Sequence, residues 1–383
     1  MTTSVSRPQV PALTSLRFFA ALHVFLFHLD AIKIKTFTGV ANRLQMIGYV
    51  GVSLFFVLSG FILTYVHGER ELTPSVFYRE RVARIYPAYL FSLVVTAPGF
   101  FYVCIVLKNM DIPFFAWFKT HVGVCAAMVP TLTQSWHPQA ALAWNPPAWS
   151  LSVEAFFYIL FPFLLPRLLR WTDRNLVILI AACCAVSFTL PSLYCWLKPD
   201  GVANVSDASL TLWWLNALKF NPLARLPEFL LGASCGVLFL RGKFNRRWAV
   251  PLTLASLIAF VTVMLASPHI PYPLLHNGIL PPAFAALVVG LALRPAFMSW
   301  MNYKPLVLLG NASYSLYLLH SFVLGVYFVP EGKLKTYGPL GTAIGYVLPV
   351  VIAILVYRFI EEPARRKLRP KSQIRTVTVA QTA

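Results

Sequence analysis

The chain has 383 residues, 58% of them hydrophobic and only 12% charged, with 32 Lys and Arg against 13 Asp and Glu for a formal net charge of +19. That balance excludes an ordinary soluble globule and points to a polytopic membrane protein. The positive excess is no nucleic-acid footprint, because the basic residues fall between apolar runs, where the positive-inside rule puts them.

Apolar runs predict an all-α transmembrane bundle of about ten spans, at roughly 13–33, 46–67, 84–108, 148–169, 175–196, 223–241, 247–266, 278–295, 306–328 and 337–361. They leave a polar tail over 1–12, a membrane domain over 13–361 and a basic tail over 362–383. With the N-terminus in the cytoplasm, 22 of the 32 basic residues collect on that side and nine on the other, so both termini are expected to be cytoplasmic. The first span is too long and too polar for a signal peptide, and no cleavage is expected. The longer external segment 109–147 holds a semi-apolar piece, 114–132, readable as an extra short or re-entrant helix. Six cysteines without a CxxC or metal spacing read as small core residues, and no metal is expected.

Span one, LTSLRFFAALHVFLFHL, carries Arg17, His23 and His28. Ionisable groups inside a membrane are functional candidates by default. Arg17 and His28 are eleven residues and roughly 16 Å apart, on nearly one helix face. His23 points elsewhere and reads as packing. Before span three, FYRERVARIYP sets Arg81 and Arg84 on one face, with Arg79 close by. Guanidinium forks beside a helix N-terminus suit a phosphate-bearing ligand; the blander reading is topogenic charge on lipid headgroups.

Span four begins WNPPAWSLSVEAFFY. Glu154 falls about six residues in from the outer face, with Ser150 and Tyr158 one turn to either side. A lone carboxylate there needs a partner or must stay protonated, and His28 is the expected partner; the bland alternative is a helix–helix hydrogen bond. In span six, Arg225 and Glu228 are three apart and read first as a mutual pair. In span nine, Tyr314, Tyr317 and His320 step along one face, as packing or as support for the site. His67, His121, His137, His269 and His276 fall in or near loops and carry no pattern.

The stretches SLRFFAALHVFLFH, GVSLFFVLSGFIL, RVARIYPAY, WSLSVEAFFY, LPEFLLG, SYSLYLLH and RFIEEPARRKL occur in an order that resembles acyltransferase family 3, over nearly the whole chain. These are integral membrane enzymes that acylate bacterial surface polysaccharides, O-antigens and some macrolides. The family's basic-residue-x10-histidine pattern falls on Arg17 and His28, its paired arginines on Arg81 and Arg84, and its WSL-x-x-E acid on Glu154. The resemblance implies transfer of an acyl group, usually acetyl, from acyl-CoA to a hydroxyl of a carbohydrate or glycolipid, in a bacterial cytoplasmic membrane. Some members carry an extra hydrolase-like domain, which a chain ending soon after span ten is expected to lack.

The residues and the resemblance together suggest one arrangement. Arg79, Arg81 and Arg84, with Arg17, hold the CoA phosphates at the inner surface. His28 is general base or transient acyl-accepting nucleophile, and Glu154 orients it. Tyr158, Tyr317 or a backbone N–H donates to the oxyanion, and the sequence does not choose among them. Ser150, Arg225, Glu228, Tyr317 and His320 are support. The rival class is a proton-coupled secondary transporter, disfavoured because no half of the chain repeats the other.

Overall fold

The structure, a computed structural model, describes residues 9–31, 37–69, 72–111, 113–206, 209–328, 335 and 337–368. The outer parts of both expected tails, 1–8 and 369–383, lie outside the described residues, as does Arg70. Among the described residues there is no strand, and ten helical stretches are long and apolar enough to cross a membrane. Their main helices are α1 (Pro11–Ala31), α2 (Gly51–His67), α3 (Pro74–Phe101), α4 (Trp149–Arg170), α5 (Asp173–Leu197), α6 (Pro222–Leu240), α7 (Ala249–Ala266), α8 (Pro281–Ala292), α9 (Lys304–Phe328) and α10 (Pro339–Val356). The end where α1 starts is the near face below, and the opposite end the far face.

The bundle closes where side chains are absent. A Cβ on Gly232 of α6 would collide with the Val57 carbonyl of α2, and one on Gly60 with the Phe229 carbonyl of α6. Glycine lets these two backbones touch, which is how membrane helices gain packing without a hydrophobic drive. Gly310 of α9 meets the Thr14 carbonyl of α1 in the same way and fixes the register of those two helices. The helices α5, α7 and α10 expose apolar rows instead, such as Val177, Ile178, Ile258, Val261, Val347 and Val351, which suit lipid.

Three spans begin well before their expected limits, at Pro74, Trp213 and Tyr272. α3 begins at Pro74 and not near residue 84, because a proline favours the first turn and Phe77, Ala83 and Ile85 are buried. Arg79, Arg81 and Arg84 therefore lie within a helix and not beside its N-terminus. α6 and α8 are each preceded by a short helix, Trp213–Phe220 and Tyr272–Asn277.

The segment between α3 and α4 adds no span. Its helices, Ala116–Thr120 and Val122–Met128, are five and seven residues long. Residues 129–148 instead sink into the bundle, where Gln134, Ser135, Ala140, Ala141 and Ala143 are buried. Tyr89 donates its hydroxyl to the Val129 carbonyl at 2.5 Å, and Trp144 its indole N–H to that of Leu93 at 3.0 Å. The Asn145 amide donates to the Ser92 hydroxyl and the Leu318 carbonyl, both at 3.2 Å. Irregular backbone is tolerated at this depth because protein surrounds it. In consequence α4 starts inside the bundle and not at its far surface.

Candidate active site

Near-face residues of α1, α2, α3, α4 and α9 line a partly open cavity of about 150 Å³, among them Arg17, Ser59, Arg81, Arg84, Glu154, Tyr158 and Tyr314. The guanidinium of Arg81 lies 5.4 Å from the Phe77 ring and 5.8 Å from that of Tyr158, and its Nε has no hydrogen-bond partner among the described residues. Arg84 is 3.5 Å from the carboxylate of Glu361, which also accepts from the Ser315 hydroxyl at 2.8 Å. Tyr158 donates to Glu154 at 3.1 Å. Arg17, Arg81 and Arg84 line the same cavity as Glu154. Three guanidiniums and one carboxylate thus line the cavity, with Glu361 behind Arg84, and the cavity keeps a positive excess suited to an anion.

Above the cavity, Ser150 donates to the Tyr317 hydroxyl at 2.8 Å. Along antiparallel α4 and α9 this contact fixes the levels of their neighbours. Glu154 lies one turn toward the near face, beside Tyr314; His320 lies one turn toward the far face. The His320 ring is 4.7 Å from that of His28 and 6.0 Å from that of Tyr317. Both imidazoles direct Nδ1 at a backbone carbonyl, His28 at Val24 (2.8 Å) and His320 at Leu316 (3.2 Å). A carbonyl only accepts, so Nδ1 carries the hydrogen and Nε2 the lone pair in each neutral ring. Nε2 of fully buried His320 has no hydrogen-bond partner among the described residues.

The expected Glu154–His28 pair is therefore not formed. Two steps of one turn separate the carboxylate from the imidazoles, roughly 10 Å along the helix axes. The cause is the sunken start of α4, which carries Glu154 down to the arginines. Arg79 is exposed and outside the cavity. Arg225 and Glu228 do pair, at 3.0 Å, and Arg225 also donates to the Ser53 hydroxyl (2.8 Å) and the His276 carbonyl (3.3 Å). His23 contacts the Leu44 carbonyl at 2.7 Å, away from His28.

Two residues escaped the sequence reading. Glu361 looked like a span end, but the π-turn Tyr357–Glu361 rotates it into the interior. Its place in RFIEEP was the available signal. His276 is buried, stacked on Tyr49 at 5.2 Å and 14°, in a short helix that gives no periodic pattern. The cysteines are free, with Cys104, Cys125, Cys183 and Cys235 buried, and no group of described His, Cys, Asp and Glu residues is arranged to hold a metal ion.

A family model described as an acyltransferase domain matches residues 10–358. The chain is 24% identical over 382 residues to acyltransferase MdmB of Streptomyces mycarofaciens, covering 96% of this chain and 95% of that one. It is 25% identical over 391 residues to O-acetyltransferase OatA of Staphylococcus aureus, covering 94% of this chain and 57% of that one. It is 26% identical over 397 residues to peptidoglycan O-acetyltransferase OatA of Listeria monocytogenes, covering 95% and 57%. The chain thus spans a little over half the length of the OatA proteins. No solved structure matches it. A match running from the start of α1 into the π-turn after α10, over an integral membrane bundle whose cavity gathers the motif residues Arg17, Arg81, Arg84 and Glu154, makes the chain a member of acyltransferase family 3.

Proposed function

We propose that the protein is an O-acyltransferase of the bacterial cytoplasmic membrane, moving an acetyl group from acetyl-CoA to a hydroxyl of a surface carbohydrate or glycolipid. What carries the reading is the column from the arginine cavity through Tyr317 and Ser150 to the His28–His320 pair. Arg17, Arg81 and Arg84 bind the donor's phosphates, and the unpartnered Arg81 Nε fits such a ligand. The excess of Lys and Arg on the near side supports a cytoplasmic near face. The thioester arm reaches up the column past Tyr314.

His28 Nε2 takes the proton of the acceptor hydroxyl, whose oxygen attacks the thioester carbon. The C–O bond forms, the C–S bond breaks, and the departing thiolate recovers the proton. The Tyr317 hydroxyl, one turn from His320, donates to the oxyanion; Tyr158 is engaged with Glu154 below. His320 accepts from the protonated His28 through its bare Nε2. Glu154 balances the arginines and does not orient His28.

The test is CoA release from acetyl-CoA by the full chain in lipid nanodiscs, with and without glycan acceptors. General bases supply about 10²–10⁴-fold, so His28→Ala is expected to lose about 10³-fold while still inserting. A variant with near wild-type turnover removes His28 from the chemistry. Wild-type protein that leaves acetyl-CoA intact with every acceptor removes the donor assignment.

A further inference from the structure

The 129–148 segment that sinks into the bundle contains a single ionisable side chain, His137. Its half-buried ring stacks on the Trp117 indole at 4.8 Å and meets the Trp213 indole edge-to-face at 5.2 Å. Trp117 carries a second imidazole, that of His121, at 4.4 Å and 6°. Four rings thus join three stretches of the far face: the Ala116–Thr120 helix with the residue after it, the sunken segment, and the start of the Trp213–Phe220 helix. His137 Nδ1 is buried and has no hydrogen-bond partner among the described residues.

This arrangement suits a neutral His137 and not a charged one. An imidazolium carries two N–H donors, and one of them falls on the buried, bare Nδ1. An indole face attracts a cation, but by less than a buried charged donor without an acceptor costs. The second imidazole on the same indole adds repulsion when both are charged. Burial first and His121 second accordingly hold His137 below the usual histidine range. Other charged groups of the packed elements are engaged elsewhere. Lys119 donates to the Met110 carbonyl, Asp200 accepts from the N–H groups of Trp214 and Leu215, and Lys219 lies over the Phe220 and Tyr272 rings. From α4 it is the Phe156 ring that packs here, against Trp136 at 5.0 Å. A base whose folded value is depressed contributes full stability above its unfolded value, about 6.5, and loses it as pH falls toward the folded value. Acid therefore works against the stack.

The same segment grips the first turn of α4. The Gln134 amide donates to the Ala148 carbonyl at 3.2 Å, and the Ser135 hydroxyl to that of Trp149 at 2.7 Å. The Ser135 N–H donates to the Ser152 hydroxyl, which donates in turn to the Leu132 carbonyl. His137 closes this grip with its own N–H on the Gln134 carbonyl at 3.2 Å. Ser150, in the turn that is held, makes the contact with Tyr317. We propose that the His137–Trp117–His121 stack is an acid-sensitive clamp, which releases the 129–148 segment and the start of α4 when the medium at the far face turns acidic and so lowers turnover. The effect on turnover rests on the proposed reaction and orientation; the clamp itself does not.

The test is amide hydrogen exchange over 129–152, read by mass spectrometry on the full chain in nanodiscs and corrected for the intrinsic pH dependence of exchange. Between about pH 7 and about pH 5 the wild type is expected to show a severalfold rise in exchange there, with the other spans unchanged. His137→Phe keeps a ring against Trp117 and cannot titrate, so its exchange is expected to stay level. His121→Gln, at an exposed position, removes one of the two causes and is expected to show a smaller rise; it decides the matter if the His137 variant does not fold. Level exchange in the wild type, or an undiminished rise in a folded variant, overturns the clamp. Acetyl-CoA turnover is read separately, as the ratio of wild type to His137→Phe at each pH, which cancels the titration of His28. A ratio that falls with pH supports the control of turnover, and a constant ratio overturns it. Exchange that follows the clamp in a protein that never turns over acetyl-CoA sinks the proposed reaction alone.

Discussion

Two buried Arg–Glu constellations in this bundle use the same residue types in opposite ways. At Arg225 and Glu228 one cation meets one anion at 3.0 Å, both are at most 1% exposed, and the guanidinium lies against the Phe56 and Trp149 rings. In the near-face cavity three arginines share the lining with Glu154, and Arg84 also pairs with buried Glu361 at 3.5 Å. Removing charges from water is costly and is offset only by close partners. The first group spends its electrostatics on itself and reads as a structural node. The second lines a partly open cavity with three cations against one carboxylate, an excess that suits a ligand with negative charge.

The comparison breaks most sharply at the closed pair. Arg225→Met leaves Glu228 buried without its cation, and Glu228→Leu does the reverse. Each is expected to lower stability by about 3–5 kcal/mol, whereas the double variant Arg225→Met/Glu228→Leu recovers most of it. Thermal unfolding of the nanodisc-embedded chain reads this. Equal damage in the double and single variants means that Ser53 and His276, not the ion pair, hold that node together.

The open cavity predicts the converse. Arg81→Gln with Arg84→Gln keeps a donor for Glu361 but removes two charges. Charge-assisted bonds are worth about 1.5–3 kcal/mol each, so the donor KM is expected to rise about 10²-fold or more with the unfolding temperature little changed. Acceptor KM should stay within a few-fold. An unchanged donor KM would return these arginines to a topogenic role.

Hydropathy made the ten spans legible because runs of about twenty apolar residues have few other uses. The motif residues were legible because Arg17, Arg81, Arg84, Glu154 and His28 interrupt such runs with charge. Their mutual distances were not. Residues 129–148, rich in Pro, Ala and Trp, look like an external loop, yet long-range bonds from Tyr89, Trp144 and Asn145 draw them inside. That displacement alone shifts Glu154 from the imidazoles to the arginines. Likewise RERVAR looked like loop charge, although the helix already runs through it from Pro74. Glu361 and His276 are buried through tertiary contacts that no local period encodes. The Arg225–Glu228 pair was legible because a spacing of three is itself the contact.

The smallest expected effect sharpens the boundary of the open site. Arg79 is two residues from Arg81 and carries the same charge, but two helical steps turn it away, and it is exposed where Arg81 lines the cavity. Near a lipid surface a single arginine contributes about 1 kcal/mol to headgroup attraction. Arg79→Ala is therefore expected to change donor KM less than twofold, while weakening association with anionic over neutral headgroups in the surrounding bilayer. Donor kinetics in nanodiscs of phosphatidylcholine and of phosphatidylglycerol separate the two effects. If Arg79→Ala raises the donor KM as far as the Arg81 and Arg84 replacements do, charge density along the near surface and not the cavity governs donor binding, and the contrast between open and closed arginine sites loses its functional meaning.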